Sequence, residues 1–330
     1  DEIKNYLLRE NDLVMSLTGN VGRVAMMSRK DLPAGLNQRV ACIRVKNGDI
    51  LTRFLFHFFD QDSFEKNAMN VATGGGQKNM STTWLSHYKI PLPPLDIQAE
   101  IVKILNSFTE LEAELEAELE ARKIQYEHYR GELLAVDRNA KEMTLNEIGK
   151  VSMCKRVFKN ETLSSGDIPF YKIGTFGKKP DAFISQELYD EYRQKFSFPK
   201  RGDVLLSASG TIGRRVVYNG EPAYFQDSNI IWIDNDESKV LNRFLYHFYA
   251  ITKWQTEGGT IQRLYNDNLK KIKISVPPMD EQERIVSILD KFDALVNDIS
   301  IGLPAELTAR RKQYEYYRTK LLTFKEYAKG

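Results

Sequence analysis

The 330 residues are enough for two domains, each with a core of its own. With 42% apolar and 28% charged residues the composition is that of an ordinary globular protein, and no stretch approaches the run of about eighteen apolar residues that a membrane span needs. A net charge of +2 excludes neither nucleic acid nor protein as a partner, because the acid-rich 110–120 segment offsets the basic clusters Lys200-Arg201, Arg214-Arg215 and Lys270-Lys271-Lys273. Cys42 and Cys154 sit in no pairing motif and no signal-peptide pattern is present, so a cytoplasmic protein without membrane contact is expected.

Residues 1–94 read as a mixed α/β domain. Strands are expected at Asp12–Ser16 and Val40–Val45, rich in branched residues and bounded by Gly, Asn and Asp, and a helix at Leu51–Asp60. Pro91 to Pro94 end this domain, and Asp96 is placed to cap a helix that continues to about Val136. Its first half carries the stripe Ile101, Ile104, Leu105, Phe108, Leu111 and Leu115, and a tandem tetrapeptide, Leu111-Glu-Ala-Glu, Leu115-Glu-Ala-Glu, Leu119-Glu-Ala-Arg. That repeat is either a plain helix-favouring stretch or a ruler in which each unit adds about 6 Å. A second domain, 143–278, has expected strands near Ile168–Ile173, Val204–Ser207, Arg215–Tyr218 and Ile230–Ile233, and a helix over Leu241–Trp254. Pro277-Pro278 end it, and Asp280-Glu-Gln-Glu283 fits a capping box. The second long helix follows with the stripe Ile285, Ile288, Leu289, Phe292, Leu295 and Val296, and Gly302 and Pro304 should break it midway.

These elements occur twice, at a spacing of roughly 185–190 residues. Asp12-Leu-Val-Met-Ser-Leu-Thr-Gly19-Asn-Val-Gly22-Arg23 returns as Asp203-Val-Leu-Leu-Ser-Ala-Ser-Gly210-Thr-Ile-Gly213-Arg214, and Arg53-Phe-Leu-Phe-His57 as Arg243-Phe-Leu-Tyr-His247. Pro93-Pro-Leu-Asp-Ile-Gln98 returns as Pro277-Pro-Met-Asp-Glu-Gln282, and Gln125-Tyr-Glu-His-Tyr-Arg130 as Gln313-Tyr-Glu-Tyr-Tyr-Arg318. The expected fold is therefore α+β: two similar mixed α/β domains (1–94 and 143–278) joined by two long antiparallel helices (95–142 and 279–330) in a coiled-coil spacer with pseudo-two-fold symmetry. The two helix stripes are expected to pack on each other. Such a chain suits a ligand with two halves, double-stranded DNA above all. Copy two has about fifty residues, 143–191, without a counterpart in copy one, since Asp1 aligns near Tyr192. A sheet cut through its middle would expose strand edges, so residues upstream of Asp1 are expected in the native protein.

No phosphate-binding loop of the Gly-x-x-x-x-Gly-Lys-Ser/Thr type is present, and the Pro-Pro pairs lack the flanks of an amino-methyltransferase motif. Pro180-Asp181 is followed by no Asp/Glu-x-Lys of a nuclease. The histidines His57, His87, His128 and His247 have no metal-ligand spacing, and His57 and His247 read as packed residues on aromatic-rich helices. No catalytic or metal-binding residue is assigned.

Two duplicated features suit binding instead. The Ser-x-Ser/Thr-Gly-x-x-Gly-Arg turns, Ser16–Arg23 and Ser207–Arg214, follow a strand in each copy; their glycines either admit a phosphate close to the backbone or only satisfy the turn's dihedrals. The polar loops Thr73–Thr82 and Gly258–Asn266 occupy matching positions and carry Gln, Asn, Arg and Lys, which pair with purine edges; the competing reading is plain surface.

In the duplicated turns, the Pro-Pro-x-x-x-Gln helix entries, the Gln-Tyr-x-x-Tyr-Arg-x-x-Leu-Leu ends at Gln125–Leu134 and Gln313–Leu322, and the tetrapeptide repeat, the whole chain resembles the specificity subunit of type I DNA restriction-modification systems. The resemblance implies two target-recognition domains that each read half of a bipartite, asymmetric DNA sequence, and helices that set their spacing and dock two modification subunits. It places S-adenosylmethionine, ATP and Mg2+ in partner subunits: the modification subunits methylate adenine, and a restriction/translocase subunit joins through the complex. Carried over by position, DNA contacts fall to Ser16, Thr18, Asn20, Arg23, Lys78 and Asn79 in copy one. In copy two they fall to Ser207, Ser209, Thr211, Arg214, Arg215, Gln262, Arg263 and Asn266. Tyr126, Tyr129, Arg130, Tyr314, Tyr317 and Arg318 are assigned to the helix pair or the subunit interface. The alternative is a non-catalytic coiled-coil scaffold with protein-binding globular ends.

Overall fold

The computed structural model describes residues 6–135, 140–257 and 262–324. The expected helix end at Val136, the register at Asp1 and the start of the second polar loop, Gly258 to Ile261, lie outside the described residues. The chain divides into two compact units, residues 1–120 with 298–330 and residues 121–297.

In unit 1, strands β1 (Leu13–Ser16), β2 (Val24–Met26) and β3 (Val40–Ile43) form an antiparallel sheet in the order β2-β1-β3. Leu13 and Met15 of β1 point into the core with no exposed surface, as the two-residue period of a strand dictates. Helices α1 (Thr52–Phe59), α2 (Asp62–Val71) and α3 (Thr82–His87) follow. Phe54, Phe59 and Phe64 from α1 and α2 fill the core above β1. Helix α4 (Leu95–Leu133) starts directly after the prolines and runs 39 residues, about 58 Å at 1.5 Å per residue.

Unit 2 runs through β4 (Lys141–Thr144), α5 (Leu145–Ile148), β5 (Lys150–Ser152), β6 (Ile168–Tyr171), β7 (Phe183–Ile184), α6 (Gln186–Lys195), β8 (Val204–Ser207), β9 (Arg215–Val217), β10 (Tyr224–Phe225), β11 (Ile230–Asp234), α7 (Asn242–Ile251), α8 (Asn266–Lys270), β12 (Lys273–Val276) and α9 (Met279–Asn297). The break expected at Gly302 and Pro304 separates α9 from α10 (Leu303–Leu321), which belongs to unit 1 and carries Pro304 in its first turn, where the missing N–H costs nothing. The sheet β5-β11-β8-β9 repeats unit 1's three strands as β11, β8 and β9 and adds β5; β12 pairs with β4, and β10-β6-β7 forms a third sheet. β5, β6 and β7 lie in the surplus segment of copy two, whereas β10 and β12 lie outside it. Among the described residues of unit 1 no strand lies beside β3 on that edge, and Leu92 is 58% exposed where its equivalent Val276, covered by β4, is 7% exposed.

Both long helices enter through the same device. Gln98, fully buried, accepts from the N–H of Leu51 at the start of α1 (2.8 Å) and donates to the carbonyls of Asp49 (2.9 Å) and Pro93 (2.8 Å). Gln282 does the same with Leu241, Lys239 and Pro277, each at 2.9 Å. This is the work of the Pro-Pro-x-x-x-Gln motif: one buried amide pairs with three partly buried backbone groups. Asp96 and Asp280 lie one residue inside their helices, in the first turn, so they complement the helix dipole rather than cap.

Within each unit an apolar helix stripe packs on the tail of an antiparallel helix. In unit 1 Phe108 of α4 stacks on Tyr317 of α10, ring centroids 5.5 Å apart, and lies 6.2 Å from Tyr314. In unit 2 Phe292 of α9 stacks on Tyr126 and Tyr129 of α4, at 6.0 and 5.5 Å. Antiparallel pairing brings the start of one helix to the end of the other, so each stripe packs on the Tyr-x-x-Tyr-Arg tail of the opposite copy.

A buried polar node then fastens each pair to its globular part. His57, with no exposed surface, has Nε2 2.9 Å from Asn106 Oδ1; an amide oxygen only accepts, so Nε2 carries the proton and Nδ1 accepts from the Tyr314 hydroxyl at 3.1 Å. Arg53 also donates to Asn106 Oδ1, at 2.8 Å. In unit 2 His247 Nε2 donates to Asp290 (2.6 Å), the Tyr126 hydroxyl lies 3.3 Å from His247 Nδ1 and donates to Asp293 (3.3 Å), and Arg243 forks onto the Asp290 carboxylate. Arg318 and Arg130 cover the outer faces of Tyr314 and Tyr126 at 4.9 and 4.8 Å.

Two outcomes are expected. Gln98→Ala leaves three partly buried backbone groups without their partner and should cost about 1–3 kcal/mol in denaturant unfolding; an unchanged midpoint would contradict this role for Gln98. Burial holds the His57 imidazole down to about 4 from its usual 6.5, and burial also lowers His247 against the pull of Asp290. The unfolded chain takes up these protons near pH 6.5 and the folded chain does not, so stability is lost as pH falls through that window toward 4. Thermal unfolding should show His57→Gln losing less between pH 7 and pH 5 than the parent chain, by up to about 2 kcal/mol; parallel losses would contradict the assignment.

Candidate nucleic-acid interface

Each Ser-to-Arg turn is closed by its own atoms. In unit 1 the Ser16 N–H donates to the Arg23 carbonyl (2.8 Å), the Gly22 N–H to the Ser16 carbonyl (2.9 Å), and the Ser16 hydroxyl to the Thr18 carbonyl (3.0 Å). In unit 2 Ser207 and Arg214 pair likewise, and the buried Ser207 hydroxyl donates to the Thr211 carbonyl (2.5 Å) while accepting from the Arg214 N–H (2.8 Å). The first serine of each motif thus shapes the turn and has its hydroxyl engaged.

The second glycine is also structural. Gly22 has φ +87°, and a Cβ there would lie 2.9 Å from Ala68 Cβ on α2; Gly213 has φ +78°, and a Cβ there would lie 2.1 Å from Trp254 Nε1. The first glycine differs. Gly19, at φ +77°, faces open space, so at this position the turn's dihedral asks for glycine and the outer surface stays clear.

The turn and the polar loop, about sixty residues apart in sequence, are one structure in both units. Thr73 and Asn79 exchange backbone hydrogen bonds (3.0 and 2.8 Å) to make a hairpin base, and Glu257 and Arg263 do the same (3.1 and 2.9 Å). The turn joins that base: the Met80 N–H donates to the Leu17 carbonyl and the Leu264 N–H to the Ala208 carbonyl, both at 2.8 Å, with bridges Thr18–Asn79 and Ser209–Arg263. The result is a platform of two stitched loops with a short core beneath it. Non-local pairing of this kind leaves no local signature, and only the matched positions of the two segments hinted at it.

Side chains on the two platforms differ. On unit 1 Asn20, Arg23, Lys78 and Asn79 are exposed; Thr18 is half-buried and donates to Asn79 Oδ1 (2.7 Å), and Arg23 lies 3.6 Å from Glu65 of α2. On unit 2 Thr211 and Gln262 are exposed, and Gln262 accepts from Thr256 at 2.9 Å. Ser209 is buried and donates to Asn229 (2.8 Å), and the half-buried Arg263 donates to the Ser228 carbonyl (3.2 Å). Arg214 donates to the Phe176 carbonyl (2.8 Å), and Asn266 opens α8. Arg215 lies on β9 over the Tyr246 ring at 4.6 Å, with its Nε buried and unpaired among the described residues. Tyr126, Arg130, Tyr314 and Arg318 are buried in the helix pairs; Tyr129 and Tyr317 are 38% and 40% exposed. Sequence reasoning missed the Gln226–Asn229 segment, which links several loops of unit 2: besides Asn229 and Ser228, Asp227 accepts from Arg156 at 2.8 Å. Its polar run before β11 is too ordinary a pattern to single out.

The chain carries the type I restriction modification DNA specificity domain twice, over residues 1–121 and 138–309. It is 56% identical over 293 residues to a Haemophilus influenzae protein assigned as a type I restriction enzyme specificity subunit, a match that covers 86% of this chain and 75% of that protein. Against the specificity subunit of the Escherichia coli type I restriction enzyme EcoR124I/EcoR124II it is 35% identical over 266 residues, 73% of this chain and 65% of the other. The fold matches the crystal structure of a type I restriction-modification S subunit from M. genitalium with TM-score 0.58 at 16% identity, covering 97% of this chain and 85% of that one. With two matched domains that together take in most of its length, the chain belongs to the type I restriction-modification DNA specificity family.

Proposed function

We propose that this chain is the sequence-reading subunit of a type I restriction-modification complex in the cytoplasm, each unit applying its platform to one half of a bipartite, asymmetric duplex target. The observation that carries the reading is that one backbone frame is built twice with different side chains. Lys78 and Asn79 on unit 1 stand where Gln262 and Arg263 stand on unit 2, so the same docking geometry is offered to different base edges. Two modification subunits dock on the helices and methylate adenine, and a restriction/translocase subunit joins through them. S-adenosylmethionine, ATP and Mg2+ are bound by those partners, and this chain supplies recognition without catalysis.

The spacing role rests on α4. Its Leu-Glu-Ala-Glu repeats are solvated rather than packed in a core, and Arg311 of α10 spans one repeat by reaching Glu112 (2.6 Å) and Glu116 (2.5 Å). A pure scaffold would place no such demand on length and would show no salt-dependent DNA affinity.

Methylation mapping of DNA from cells that express the chain with its modification subunits tests the reading. A split adenine-methylated motif with a fixed gap is expected, and deletion of residues 115–118 should shorten that gap by one or two base pairs, the equivalent of about 6 Å. A continuous motif, or a gap indifferent to the deletion, would contradict it.

A further inference from the structure

Unit 2 carries a loop without a counterpart in the described part of unit 1: Lys172-Ile-Gly-Thr-Phe-Gly-Lys-Lys-Pro-Asp181, between β6 and β7. The loop is held by its own turns. The Thr175 N–H donates to the Lys172 carbonyl (3.0 Å), the Lys178 N–H donates to the Thr175 carbonyl (2.9 Å), and Gly177 takes φ +72° between them. It is also tied to the platform. The Arg214 guanidinium donates to the Phe176 carbonyl (2.8 Å), the Ile173 N–H donates to Gln226 Oε1 (2.9 Å), and Ile173 Cγ1 lies 3.7 Å from the place of a Cβ on Gly210. The segment that begins at Gln226 receives Ser209 and Arg263 as well, so the loop and both platform strands share one anchor.

Charge on this loop is left uncompensated at its tip. Lys172 is paired with Asp181 at 2.9 Å, Arg156 with Asp227 at 2.8 Å and Lys200 with Asp234 at 3.0 Å. Lys178 and Lys179 are exposed, and their ammonium groups have no ion pair or hydrogen bond among the described residues. Two adjacent free cations on a fixed backbone next to the platform fit the regularly spaced negative charge of a duplex backbone. We infer that Lys178 and Lys179 form a phosphate clamp that holds the duplex flanking the half-target of unit 2, adding affinity without reading bases. The inference rests on the proposed function, and it makes the two halves unequal: unit 2 holds DNA by a charge-dependent contact that the described part of unit 1 does not have.

The test uses the full chain assembled with its modification subunits and a duplex that carries the mapped methylation motif, with a scrambled duplex as control. Each phosphate contact contributes a slope of about 0.9 to log K against log salt, so K178A/K179A should flatten that slope by about two on both duplexes. The methylated motif should stay the same, and K178R/K179R should restore the slope. An unchanged slope in a complex that still methylates a bipartite motif would overturn the clamp while leaving the proposed function standing. An altered half-motif would also overturn it, by making these lysines base readers; so would loss of subunit assembly with the slope retained, by making the loop a protein contact. Absence of salt-dependent binding by the parent complex would instead sink the proposed function itself.

Discussion

Everything in each unit hangs on one buried cluster: a histidine, a tyrosine from the far end of the opposite helix, and a carboxamide or carboxylate two residues before the stacked phenylalanine. Polar groups in such a place are tolerated only when every one is paired, and the cluster meets that condition by joining three helices at once. His57 reaches α4 through Asn106 and α10 through Tyr314; His247 reaches α9 through Asp290 and α4 through Tyr126. The aromatic helix beneath the sheet is thereby fixed against a helix pair, and Gln98 or Gln282 fixes the same helix at its other end. Sheet, platform and helix pair keep one geometry within a unit because these contacts leave no alternative packing.

The repetition is close in frame and loose in chemistry. Unit 1 uses neutral Asn106 where unit 2 uses charged Asp290, which Arg243 and His247 hold ionised below the usual carboxylate range against the opposing effect of burial. At the strand entries, the buried Asp12 is held below its usual range by Arg44, whereas burial raises its equivalent Asp203, which has Asn242 near it instead. The platforms follow the same rule. Backbone bonds coincide almost atom for atom while the exposed side chains diverge, as expected of a device in which the frame positions a ligand and the side chains discriminate.

Much of this was legible in sequence because duplication shows which positions the frame needs. The motif pairs located the turns, the helix entries and the helix tails, and each of those motifs contributes buried residues, among them Ser207, Gln98, Gln282, Tyr126 and Tyr314. Their roles were less legible. Gln98 reads as a helix-entry residue, yet its partners Asp49 and Leu51 lie some fifty positions upstream, and no local pattern announces a contact of that separation. The same holds for the stitching of Leu17 to Met80. Arg215 reads as one of a basic pair, but strand alternation turns it onto Tyr246, a distinction that depends on register. Strands of two or three residues such as β5, β7 and β10 are too short to show a period, so of the β10-β6-β7 sheet only β6 was legible.

The central claim is that each platform reads its own half of the target. The most direct measurement is the methylated motif produced by the complex when Gln262 and Arg263 of unit 2 are both changed to alanine. The account predicts that one half of the motif becomes degenerate while the other half and the gap stay as they were. Relaxation of both halves together, or a motif unchanged in both, would contradict it.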